Sequence, residues 1–295
     1  MSLKLKRDMR NPLLLPVPEH SWESRFIFNG AVVYDENEKL FHMLYRAMGV
    51  DDVSRIGYAV STDGVHFSRL DKPVFSPANN FETKGCEDPR LTKIDDEYYM
   101  LYTAYSQNGV RVSMASTKNF ITWKRYGVIL PDQDDKDAAL FPEKVNGRYM
   151  LYHRIEPDIW VSFSDDLFHW TDHKVIMNPR KDRWDSLKVG IGAPPVKTSQ
   201  GWFMLYHGVD QNMVYRLGFA LFDLNDPTKL LKRVDNPVLE PEEDFERFGQ
   251  VPNVVFSDAM IQHDGNYMVY YAGADNCMAL ATIPVEEVER ELKKL

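Results

Sequence analysis

The chain has 295 residues, 44% hydrophobic and 27% charged, the make-up of a globular protein with a sizeable core. Its formal charge of −9 argues against general affinity for nucleic acid or an anionic membrane, so any anion it binds must be held by a local cationic cluster. Two cysteines without metal-type spacing, Cys86 and Cys277, predict reduced thiols in a cytoplasmic protein with no bound metal, and the Pro-broken "LLL" run near the N-terminus is neither a signal peptide nor a membrane span.

Along the chain, one pattern recurs five times: a polar turn, then an aromatic-rich strand ending in Leu-Tyr or Val-Tyr. The copies are "DENEKLFHMLYRA", "DDEYYMLYTA", "NGRYMLYHR", "SQGWFMLYHG" and "DGNYMVYYAG". Their tyrosines, Tyr45, Tyr102, Tyr152, Tyr206 and Tyr270, recur about every 50 to 65 residues. A second alternating strand follows most of them, as in "IGYAVSTDG" and "VRVSMASTKN", and three lead on to Phe67, Trp123 and Trp170. Period-two Tyr, Val and Ile with Gly, Asn and Asp turns predict about four short strands per unit. A lone four-stranded sheet cannot bury both faces, whereas radial stacking covers them and leaves short edges. The prediction is therefore an all-β, single-domain, five-bladed β-propeller over residues 1–295, with a β-sandwich as the alternative.

The tail "PVEEVERELKKL" places Val285, Val288, Leu292 and Leu295 on one helical stripe behind Pro284. It predicts a short helix over about 284–295, docked on the body or on a second subunit of a homo-oligomer.

Candidate site residues come from several repeats. Asp88, in "CEDPRL", precedes a proline that biases it to extended geometry; a rigid carboxylate near an aromatic strand suits a general acid with a raised pKa. Lys136, Arg154, Lys188 and His207 form a scattered cationic set suited to phosphate, with ordinary salt bridges to Asp137 and Asp185 as the alternative. Asn29, Arg46 and Asp275, with Arg55 a weaker member, suit sugar hydroxyls. "GIGAPP" lacks the third glycine of a dinucleotide loop, and neither a zinc-protease helix nor a Gly-x-Ser-x-Gly elbow occurs.

In order, "CEDPRLTKIDDEYYMLYTAYS", "KDAALFPEKVNGRYMLYHR", "WDSLKVGIGAPPVKTSQGWFMLYHGV", "YRLGFALFDLNDPTKLLKR" and "GQVPNVVF" resemble glycoside hydrolase family 130, the β-mannoside phosphorylases and relatives. The likeness runs from about Asn29 to Asp275. It implies a five-bladed propeller, Asp88 as the single catalytic acid, and a phosphate site of Lys136, Arg154, Lys188, Tyr206 and His207. It also implies that Asn29, Arg46 and Asp275 hold the sugar. The chain departs from the family at Ser257-Asp258-Ala259, where a glycine is usual, and in reading "AGAD".

Most glycosidases use two carboxylates, and only one strong candidate is visible here. Inorganic phosphate as co-substrate resolves this, because it is itself an anionic nucleophile and no cofactor is needed. The resemblance implies inverting phosphorolysis of a β-linked mannoside, β-1,2 favoured over β-1,4, giving α-mannose 1-phosphate. The alternatives are a β-mannoside hydrolase of the same family and a carbohydrate-binding propeller without turnover. A three-carboxylate propeller hydrolase would require Asp258 or another acid to face Asp88.

Overall fold

Alternating apolar and polar residues between Gly-, Asn- and Asp-containing turns fold here as antiparallel meanders. The computed structural model describes residues 3–294 and is all-β with two short helices. After β1 (Lys6–Arg7), the first sheet is β2 (Phe26–Asp35), β3 (Leu40–Met48), β4 (Ser54–Ser61) and β5 (Ser68–Arg69). The second is β6 (Gly85–Ile94), β7 (Glu97–Ser106), β8 (Gly109–Thr117) and β9 (Lys124–Leu130), joined to the first only by the parallel pair Ser54–Gly85. The third is β10 (Lys136–Leu140), β11 (Tyr149–Ile155), β12 (Asp158–Ser164) and β13 (Thr171–Met177).

In the fourth, β14 (Lys188–Ile191) and β15 (Val196–Thr198) both pair with β16 (Gly201–Val209), followed by β17 (Tyr215–Phe222) and β18 (Leu230–Arg233). The fifth follows helix α1 (Asp244–Arg247) and comprises β19 (Val255–His263), β20 (Asn266–Gly273) and β21 (Cys277–Pro284). Its outer strand is β1, which pairs Lys6 with Thr282 and Arg7 with Ala281.

Five apolar clusters lie between the sheets. Leu44 and Ile56 of the first sheet meet Met100 and Tyr102 of the second. Leu101 and Met114 meet Leu140 and Leu151 of the third. Tyr152 and Val161 meet Met204 and Phe222 of the fourth, and Leu205 and Phe219 meet Val269 and Tyr271 of the fifth. Tyr45 and Ala59 of the first sheet meet Tyr270 and Leu280 of the fifth. Every sheet thus buries both faces, each against a different neighbour, which is why both sets of alternating residues are apolar. Phe67, Trp123 and Trp170 pack into three of these clusters.

The repeated tyrosines have a second use. Tyr45 donates its hydroxyl to Glu23 (2.9 Å), Tyr102 to Glu82 (2.6 Å) and Tyr206 to Asp185 (3.0 Å). In the fifth sheet the next tyrosine, Tyr271, donates to Glu246 (2.8 Å). All four carboxylates are fully buried, and each also takes an arginine: Arg69, Arg125, Arg180 and Arg7 respectively. A buried carboxylate requires such partners. Each joint ties the segment entering a sheet's first strand to that sheet's second strand.

Helix α2 (Val285–Leu292) starts directly after Pro284, as the sequence predicts, and ends at Leu292. Val288 and Leu292 are buried with Leu3 and Leu5 of the same chain. Leu295, the last residue of the expected stripe, lies outside the described residues. No described helix is long and apolar enough to cross a membrane.

Candidate active site

The first strands of four sheets break their register at equivalent places. The shifts fall between Phe28 and Gly30, Glu87 and Arg90, Lys136 and Ala139, and Ser257 and Ala259. The residues released from pairing include Asn29, Asp88, Asp137 and Asp258. Such bulges re-aim side chains that regular strands would direct into the sheet packing. Asn29, Asp88 and Asp137 have φ of 45°, 50° and 52°, a left-handed conformation that Asn and Asp tolerate best among residues with a Cβ. The extended geometry expected for Asp88 from Pro89 is therefore corrected: the bulge overrides the proline's bias.

Asp88 is 2% exposed. Its Oδ1 accepts hydrogen bonds from Asn29 Nδ2 (2.8 Å) and Arg46 Nη1 (2.9 Å). Arg46 also reaches Glu87 Oε1 (2.6 Å) and Ser54 Oγ (3.0 Å), and lies 4.3 Å over the Phe28 ring. Burial drives the Asp88 carboxyl upward, but Arg46 and Lys136 outweigh it and the net shift is downward. The raised value expected from the sequence is thus not what the substrate-free site holds. Burial raises the neighbouring Glu87. Asp275 is pushed up to about 6 by burial, against the pull of Arg46 and with Asp88 adding repulsion. Asn29 Oδ1 is buried without a hydrogen-bond partner, an acceptor open to a ligand hydroxyl.

The expectation of a solitary carboxylate is also corrected. Asp88 feels the charge of Asp137, and Asp258 feels both. Yet Asp137 and Asp258 are fully buried and engaged with arginines. Asp258 lies 2.6 Å from Arg90 Nη2, and Asp137 lies 3.6 Å from the same nitrogen and 2.9 Å from Arg154 Nη1. Arg90, 1% exposed, also donates to the carbonyls of Ile191 (2.7 Å), Gly192 (2.6 Å) and Asp88 (3.2 Å). It links β6 to residues of β10, β14 and β19, a role that its sequence context, one residue past Pro89, does not reveal. Burial pushes Asp258 well above the carboxylate range, against Arg90.

The cations gather on the third and fourth sheets. Lys136 and Arg154 are direct cross-strand partners. Both line an open cavity of about 580 Å³ with Gln133, Asp135 and Glu156. The Lys136 side chain makes no hydrogen bond or ion pair among the described residues, while its charge acts on Asp88, Asp137, Glu156 and Asp275. Arg154 sits 3.3 Å from Glu156, and Lys188 Nζ lies 2.9 Å from the same carboxylate oxygen. His207 is fully buried beneath Arg154, its Nε2 3.3 Å from Nη1. Arginine can only donate, so Nε2 accepts. Burial holds this imidazole well below its usual pKa, so it is neutral. Gly190 makes room for it, because a Cβ there would come within 2.4 Å of the His207 ring.

Two expected members stand apart. Tyr206 packs between the third and fourth sheets, stacked on Trp184 at 5.4 Å, with its hydroxyl taken by Asp185. Strand alternation sends it to the face opposite His207. Arg55 is held by Asp51 (2.7 Å) and the Val53 carbonyl (3.1 Å), and makes no side-chain hydrogen bond or ion pair with Asp88, Asn29 or Arg46 among the described residues. Glu87, Arg90 and Glu156 join the site without having been singled out.

Bulged first strands that present carboxylates and polar hydrogen-bonding groups, beside a cavity edged by lysine and arginine, define an enzyme of the carbohydrate-active class. The chain belongs to glycoside hydrolase family 130: residues 5–294 match the model of that family, described as beta-1,4-mannooligosaccharide phosphorylase. A 1,2-beta-oligomannan phosphorylase of Thermoanaerobacter sp. strain X514 is 48% identical over 97% of this chain and 99% of its own length. A beta-1,2-mannobiose phosphorylase of the same organism is 46% identical over 97% and 99%. The structure of a beta-1,2-mannobiose phosphorylase from Listeria innocua, in complex with beta-1,2-mannobiose, matches with a TM-score of 0.91 at 31% identity, covering 99% of this chain and all of that one.

Proposed function

We propose that this protein cleaves β-1,2-linked mannobiose or oligomannan by inverting phosphorolysis, giving α-mannose 1-phosphate and a sugar shorter by one residue. The observation that carries this is the pairing of Lys136 with Arg154 across β10 and β11, at an open cavity on the strand whose bulge places Asp137 beside Asp88. The relatives at 48% and 46% identity support the β-1,2 linkage, although the family description names β-1,4.

Phosphate held by Lys136, Arg154 and Lys188 presents one oxygen to the anomeric carbon from the face opposite the leaving group. The new carbon–oxygen bond forms as the glycosidic bond breaks, and the leaving oxygen takes a proton that originates on Asp88. Both hydrogen bonds to Asp88 fall on Oδ1, which leaves Oδ2 to carry that proton. In the substrate-free site the cations keep Asp88 ionised. A dianion beside Lys136 cancels much of that pull, so phosphate binding itself favours protonation of Asp88. Asn29, Arg46 and Asp275 surround Asp88 and are assigned to the mannose hydroxyls. His207 serves phosphate through Arg154, and Tyr206 and Arg55 have no assigned part in the chemistry. Asp137 and Asp258 are engaged with buried arginines, which supports Asp88 as the carboxyl that serves the leaving oxygen.

The five sheets are read as the blades of one propeller, with β2, β6, β10, β14 and β19 nearest the axis. The cycle of apolar clusters and the contribution of β1 to the fifth sheet support this single-domain reading. Buried free Cys86 and Cys277 agree with work in the cytoplasm.

The test is incubation of the enzyme with β-1,2-mannobiose, with and without inorganic phosphate. Mannose 1-phosphate formed only with phosphate is expected. Free mannose released at the same rate without phosphate would show a hydrolase instead.

A further inference from the structure

The turn between β11 and β12 is two residues long, because Ile155 pairs with Asp158. Its first residue, Glu156, extends to the cations assigned to phosphate. One oxygen, Oε1, bridges Lys188 Nζ at 2.9 Å and Arg154 Nη2 at 3.3 Å. A single oxygen shared by an ammonium and a guanidinium is the contact that a phosphate oxygen would make there.

The two ends of Arg154 differ. Its inner nitrogen is fixed against Asp137, which is fully buried. Its outer nitrogen is held by a side chain that is 55% exposed. Glu156 can therefore leave at little cost, since its carboxylate is already half in water. Lys188, whose other close neighbour is the Tyr215 ring at 5.8 Å, would be released by the same movement.

We propose that Glu156 is an exchangeable anion. In the phosphate-free enzyme its carboxylate occupies the place between Arg154 and Lys188 that a phosphate oxygen takes during turnover, and it moves to solvent when phosphate enters. This inference rests on the assignment of phosphate to Lys136, Arg154 and Lys188. Glu156 keeps the two cations apart and oriented between turnovers, at the cost of competing with phosphate. On product release it returns and helps expel the phosphate ester. Glu156 is thus a positioning residue that sets phosphate affinity.

The test compares the wild-type enzyme with Glu156→Gln and Glu156→Ala, both on an exposed turn. Inorganic phosphate is titrated calorimetrically without sugar, and its KM is measured with saturating β-1,2-mannobiose. Removing the competing charge is expected to tighten phosphate about twofold to fivefold in both variants, the range that partly exposed ion pairs span. The KM for mannobiose and the melting temperature should stay unchanged. Phosphate affinity that is unaltered, or weakened together with kcat, overturns the proposal, the second result marking Glu156 as a fixed orienter of Arg154. Wild-type turnover that ignores phosphate would instead overturn the phosphate assignment itself, and the wild-type titration detects that separately.

Discussion

Lys136 and Arg154 face each other across β10 and β11, yet only Arg154 is ion-paired, at 2.9 Å from buried Asp137. The same positive charge therefore has different structural weight at the two positions. Lys136→Ala is expected to raise the KM for phosphate at least about tenfold while stability moves by no more than about 0.5 kcal/mol. Arg154→Ala should raise that KM as well, and should also destabilise the fold by about 2–3 kcal/mol, because buried Asp137 loses its nearer partner and keeps only Arg90 at 3.6 Å. Phosphate kinetics combined with urea unfolding separate the two effects. Equal stability loss in both variants would contradict the asymmetry.

Asp88→Asn keeps the side-chain shape and its contact with Asn29 but cannot deliver a proton. Turnover of β-1,2-mannobiose should fall by about 10²–10⁴-fold, with circular dichroism unchanged. Retained mannose 1-phosphate production would assign the acid elsewhere, with Asp275 the next group to examine.

Tyr206 separates a structural role from a ligand role. Its hydroxyl belongs to the same kind of joint as those of Tyr45, Tyr102 and Tyr271. Tyr206→Phe leaves Asp185 short of one hydrogen bond and should cost about 1.5–3 kcal/mol. The KM for phosphate should not change. A large rise in that KM without loss of stability would return Tyr206 to the phosphate site.

Asp275 gives a pH signature. Its carboxyl is raised from 3.8 to about 6 by burial, so between those values the folded chain holds a proton that the unfolded chain has lost. Stability contributed by this group is present below about pH 4 and lost as pH rises through 6. Asp275→Asn removes that loss. Relative to the wild type, the variant should be of order 1–3 kcal/mol more stable above pH 6 and no different below pH 4. Melting temperatures across this range check the sign, and a gain confined to acid pH would refute it.

Much of this was legible in the sequence because it depends on local pattern. Period-two apolar runs and Gly or Asp turns give the strands, and the Leu-Tyr ending gives the repeat. Asp88, Asn29 and Arg46 were found through position, since each adjoins a strand with polar groups that packing alone would not demand. What escaped depends on register and on distant partners. A bulge is invisible in composition, so the left-handed conformation of Asp88 could not be anticipated from a proline that argues the other way. Arg90 reads as one charge in a strand until residues more than 100 positions away supply the carbonyls it holds. Tyr206 entered the expected site only through the family resemblance, and because adjacent strand residues face opposite ways it lies on the face away from His207. Glu156 lacked any local mark beyond a turn.

The pairing of residues 6 and 7 with residues 281 and 282 bears on how the protein is made. A ribosome releases β1 before the four sheets that separate it from β21, so β1 must wait for its neighbour while they are made. Assembly of the fifth sheet joins strands from opposite ends of the described residues, and contacts of that kind form slowly. Until they form, nascent chains carry an open sheet edge, and chaperone demand should concentrate in that interval.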